Sequence, residues 1–140
     1  MQSQKELTAM YLWRIFKHII PNMLKEYHNR VNPSRRQDID IINDDRQIIK
    51  YVISDTSIKG ETKQILHSLL NYSNIFAHNM EFDNDYITGL LFTTKLLFLS
   101  EIGGNLYDDT FNANMWKSFV EARCKLNSLT NNSYNFADMS

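Results

Sequence analysis

The stretch ETKQILHSLLNYSNIFAHNMEFDNDYITGLLFTTKLLF, Glu61 to Phe98, decides how this chain folds. In its first half Ile65, Leu66, Leu69, Leu70, Tyr72, Ile75 and Phe76 recur at intervals of three and four, the period of a helix and not the alternation of a strand. In its second half Ile87, Leu90, Leu91, Thr94, Leu97 and Phe98 repeat the pattern. Asp83 or Asn84 stands where an N-cap belongs, and Gly103-Gly104 where a helix stops. Between the halves the residues predict a polar elbow, Asn71 to Asn79. His67, Asn71, Asn74 and His78 fall four, three and four residues apart and so share one stripe, away from the apolar one. Such neutral side chains both donate and accept hydrogen bonds, which suits water or a polar partner equally.

Outward from this pair the helical period continues. A first helix is predicted over about Ser3 to Asn29, with Leu7, Met10, Trp13, Phe16, Ile20, Met23 or Leu24, and Tyr27 on its apolar side and Ser3 with Glu6 as a capping box. Pro21 lacks an N–H and crowds the preceding turn, so a kink or break is expected near His18 to Pro21. Val31 to Arg36 reads as a connector around Pro33. A second helix is expected from about Asp38 to Ser54, and a last one from Asp108 or Asp109 to about Ser128. The Asn- and Ser-rich residues 131–140 are expected to fray. The fold class is all-α, an antiparallel bundle of four to five helices in a single domain spanning residues 1–140.

Composition agrees with that class and removes several functions. Hydrophobic residues are 43% of the chain against 22% charged, with only 4 Gly and 2 Pro to punctuate strands. Cys124 is the only cysteine, so no intramolecular disulfide can form and a reducing compartment is expected. The apolar run Gly89 to Leu99 is too short for a bilayer and holds Thr93, Thr94 and Lys95, so no membrane span is expected. Neither a signal peptide nor a Gly-rich phosphate loop is visible. His18, His28, His67 and His78 lack zinc-ligand spacing, and neither metal nor cofactor is expected. The acidic pairs Asp44-Asp45, Asp83 with Asp85, and Asp108-Asp109 read as helix caps or surface charge. The net charge of −1 hides an asymmetry, because Met1 to Arg36 holds seven Lys or Arg against two Glu. Arg14, Lys17, Lys25, Arg30, Arg35 and Arg36 are therefore the candidate contacts for an anionic partner such as RNA.

The segment Ser73-Asn74-Ile75-Phe76-Ala77-His78 resembles the Arg-Asn-x-x-Ala-His motif of HEPN domains. The helix layout over Thr8 to Ile102 is also similar to theirs, in particular to the HEPN domain at the C-terminus of Swt-type PIN-domain endoribonucleases of nuclear mRNA surveillance. The resemblance implies a homodimer in which the motifs of two subunits meet, which makes His67, Asn71, Asn74 and His78 the candidate contact residues. In catalytic HEPN domains the motif arginine and histidine cleave RNA without metal. Here Ser73 stands in the arginine position, and a hydroxyl cannot hold the developing negative charge of a scissile phosphate. The degenerate motif Ser73, Asn74 and His78 therefore implies no catalysis by this domain, the nuclease activity of the parent residing in a separate PIN domain. Implied partners are a second copy, RNA and messenger ribonucleoproteins. The implied location is the nucleus, near the nuclear pore, or else the cytoplasm. Two alternatives stay open: a metal-independent ribonuclease using His78 with an arginine such as Arg14 or Arg46 in the cleft, and a purely structural protein-binding bundle.

Overall fold

The computed structural model describes residues 2–104 and 110–130, and among these residues every regular element is helical. The chain opens with α1 (Gln4–Arg14), a π turn (Ile15–Ile19) and α2 (Ile20–Val31). Ser3 caps α1 as predicted, its hydroxyl accepting the Glu6 N–H at 3.1 Å and donating to the Glu6 carboxylate. The disruption expected near Pro21 is the π turn. There the Ile20 N–H reaches back five residues to the Ile15 carbonyl, and Pro21, with no N–H to offer, sits in the first turn of α2.

That turn changes which face is buried. A π turn holds one residue more than an α turn, so the two halves of the rod differ in phase. Beyond it Ile20, Met23, Leu24 and Tyr27 are buried as the period predicts. Before it the inward residues are Thr8 and Leu12, while Met10 and Trp13, expected inside, are 38% and 55% exposed.

A short 3₁₀ turn (Pro33–Arg35) leads to α3 (Arg36–Asp40) and α4 (Asp45–Ile53). The single helix predicted over Asp38 to Ser54 is therefore two helices, and Ile41, at their junction, is 76% exposed. Asp44 makes the division: its carboxylate accepts the Arg46 N–H at 2.8 Å, which starts a helix instead of continuing one. That N–H is also the main reason the Asp44 carboxyl titrates below its ordinary range.

α5 (Gly60–His78) runs unbroken through most of the predicted elbow, and the actual break is the non-helical segment 79–83, extended at Asn79 and Asp83. Asn71, Ser73 and Asn74 are weak helix formers, but the apolar residues of the same helix, Leu66, Leu69 and Phe76, carry it past them. Asp83 caps α6 (Asn84–Leu99), accepting the Tyr86 N–H at 2.8 Å. α6 ends earlier than Gly103-Gly104, because the Ser100 hydroxyl donates to the Leu97 carbonyl at 2.6 Å and accepts the Ile102 N–H at 3.2 Å. α7 (Thr110–Thr130) follows. Its predicted start at Asp108 or Asp109 and the tail 131–140 lie outside the described residues.

α4 packs on α2 and α5, α5 on α6, and α7 on α1, the π turn and α6. Phe16, Met23, Leu69, Leu90, Phe98 and Phe119 fill the common interior, each no more than 1% exposed. None of the described helices is long and apolar enough to cross a membrane.

Candidate functional site

α5 has two contrasting sides. The side toward α6 is an aromatic ladder: Phe16 stacks on Phe76 at 5.0 Å, Phe76 meets Phe82 at 5.5 Å, and Phe82 meets Tyr86 at 5.0 Å. The Tyr86 hydroxyl donates to the Tyr72 carbonyl at 2.6 Å, which fastens the start of α6 to the middle of α5. Burial, and after it the neighbouring Tyr72, raises the Tyr86 phenol above its usual pKa of 10.0. The opposite side is polar. His67, Asn71, Asn74 and His78 all lie exposed along it, as the stripe predicts, and form a continuous row of donors and acceptors.

Ser73 does not belong to that row. It is 3% exposed and its hydroxyl donates to Asp45 Oδ2 at 2.6 Å. The other oxygen of Asp45 accepts Lys17 Nζ at 2.5 Å, and Asp45 itself is only 2% exposed. The motif helix is thereby tied to the first turn of α4 and to the π turn through one carboxylate. A buried carboxylate persists only where partners satisfy it, and here an ammonium, a hydroxyl and the positive end of α4 do so. Asp45, expected as a cap or a surface charge, is neither: Asp44 is the cap and Asp45 is buried. No spacing rule links Lys17, Asp45 and Ser73, which stand 28 residues apart at each step.

The structure scatters the predicted basic set. Arg14 pairs with Glu121 at 3.2 Å and lies over the Tyr11 ring, and Arg35 pairs with Asp38 at 2.8 Å. Lys17, expected to face water, is committed to Asp45. The Arg30 guanidinium lies 5.7 Å over the Tyr27 ring. Lys25 is half-buried and Arg36 exposed, and neither makes an ion pair among the described residues. Arg46 reaches Asp44 at 3.4 Å. Among the described residues no three His, Cys, Asp or Glu side chains gather as metal ligands would.

Comparison with family models, with curated proteins and with solved structures returns no match for this chain.

Proposed function

We propose that this chain is a degenerate HEPN-like bundle: a non-catalytic dimerisation and RNA- or messenger-ribonucleoprotein-interaction module of a nuclear PIN-domain endoribonuclease acting in mRNA surveillance. The observation that carries the reading is the split between residue 73 and its neighbours. Ser73 turns inward to Asp45, while Asn74 and His78 stay exposed. The arginine position of the motif has become part of the interior, which leaves an exposed polar row with an imidazole and no motif cation. Proton transfer without a group to hold the phosphate accomplishes half of a cleavage reaction, whereas a row of amides and imidazoles remains suited to self-complementary contact across a two-fold axis. Arg14 and Arg46, the two candidates to replace the cation, are paired with Glu121 and Asp44.

Light scattering at roughly tens of micromolar tests the first half of the proposal, with a dimer as the expected mass. Asn71→Asp sets like charges facing one another across the axis and should weaken that dimer at least about tenfold. A monomeric parent chain, or a dimer indifferent to Asn71→Asp, overturns the proposed contact. Incubation with single-stranded RNA in the presence of a chelator tests the second half, and no cleavage is expected. Robust cleavage that disappears in His78→Ala would replace this reading by the ribonuclease.

A further inference from the structure

The polar row of α5 reads the same in both directions. His67, Asn71, Asn74 and His78 are separated by four, three and four residues, so the order along the row is imidazole, amide, amide, imidazole from either end. All four side chains are exposed, and the row covers about 16 Å of helix. A two-fold axis passing between Asn71 and Asn74 therefore sets His67 of one copy opposite the partner subunit's His78, with the amides gathered near the axis. Such an antiparallel pairing also opposes the two helix dipoles. Lys63 lies one turn before His67, and in the same register it comes level with the partner subunit's segment 79–83, where the Glu81 side chain keeps 83% of its surface exposed. Parallel helices would instead set Lys63 against the partner's Lys63.

We infer that two copies of this chain join along α5 in this antiparallel register, and that the paired imidazoles of His67 and the partner subunit's His78 make the contact acid-labile. The inference rests on the dimer proposed above and gives it a geometry and a control. Two neutral imidazoles share a hydrogen bond, one ring donating its N–H and the other accepting. A pair that has gained one proton still offers a donor and an acceptor, whereas a pair with two presents donors alone and two like charges. Each pair in the dimer therefore holds one proton fewer than the same two rings on separate chains, so acid draws the copies apart. The charged groups around the row do not reverse this. Lys63 on α5 and Arg46 and Lys50 on α4 are cationic, Arg46 being paired with Asp44, and Asp45 is buried against Lys17 and Ser73. Beyond His78, Glu81 is paired with Lys5 and Asp83 caps α6, whose Asp85 and Lys95 belong to the helix on the aromatic side of α5.

Cysteine cross-linking reads the register. His67→Cys and His78→Cys are made separately in a Cys124→Ser chain, co-expressed and oxidised, and a disulfide between the two different chains is expected. Neither variant alone should link to itself, because identical positions stand about 16 Å apart along the helices, beyond the reach of a disulfide. Self-linked chains, or no link in the mixture while the parent is dimeric by light scattering, overturn the inference and leave the proposed dimer standing. A monomeric parent at about pH 7.5 removes both. For the acid response, sedimentation velocity of the parent should give a dissociation constant at least about tenfold higher at about pH 5.5 than at about pH 7.5, and His67→Gln combined with His78→Gln should hold it within about twofold. A constant unmoved by pH, or one that moves equally in the double variant, overturns the acid-labile pairing.

Discussion

Removing the Asp45 carboxylate should expose how much of this bundle depends on one buried charge. In Asp45→Ala the Ser73 hydroxyl, 3% exposed and with no second acceptor among the described residues, loses a charge-assisted hydrogen bond; such a bond is worth about 2 kcal/mol. Lys17 loses its partner as well, but its side chain is 39% exposed and water replaces the carboxylate, so that loss is held below about 1 kcal/mol. Relief from burying a charge offsets part of the total. The net expectation is a loss of about 2 kcal/mol, or roughly 6 °C in melting temperature for a chain of this size. Urea unfolding followed by circular dichroism measures it. A cycle with Ser73→Ala sharpens the result, because two groups in direct contact should show a coupling of about 1 kcal/mol or more. Destabilisation under about 0.5 kcal/mol, or strictly additive single variants, would show that the carboxylate is not held between Lys17 and Ser73 in solution.

Tyr86→Phe should cost about 1 kcal/mol near neutral pH by removing the bond to the Tyr72 carbonyl. Because folding raises the Tyr86 pKa, the native state keeps its phenol proton after the unfolded chain has begun to lose it, so stability should fall as pH climbs past about 10, and Tyr86→Phe should flatten that fall in a pH series of urea midpoints. Gly103→Ala would put a Cβ 1.8 Å from the Phe98 carbonyl oxygen, a backbone atom, so we expect a loss of about 3 kcal/mol or more by thermal unfolding. Ser73→Arg must place a long side chain in a position 3% exposed, and should cost about 2 kcal/mol in urea midpoint without creating nuclease activity, even though Asp45 could pair with it.

Elements set by local chemistry were legible in the sequence. Ser3 and Asp83 cap helices where cap residues precede an apolar period, and the stripe on α5 follows from spacing alone. Where two local signals compete, tertiary packing or a cap decides between them. Asn71, Ser73 and Asn74 suggest an elbow by propensity, yet the apolar face of α5 prevails; Ile41 continues a helical pattern, yet Asp44 restarts the helix. The Trp13 face is a failure of another kind. A period of 3.6 drawn through the whole first rod assumes constant phase, and the π turn breaks that assumption. Asp45 and its two partners were beyond reach, since only tertiary packing brings those three helical segments together.

The π turn also carries a consequence for insertions and deletions. Elsewhere in a helix, losing one residue rotates everything after it by about 100° and turns the buried face outward. Between Ile15 and Ile19 the chain already holds a surplus residue, so a one-residue deletion there can relax to ordinary α-helix while Ile20, Met23 and Tyr27 keep facing inward. What such a shortened rod gives up is the placement of Lys17, leaving the Asp45 carboxylate with Ser73 alone. The same five residues thus pack Ile15, Phe16 and Ile19 into the core and deliver one ammonium group to a buried acid.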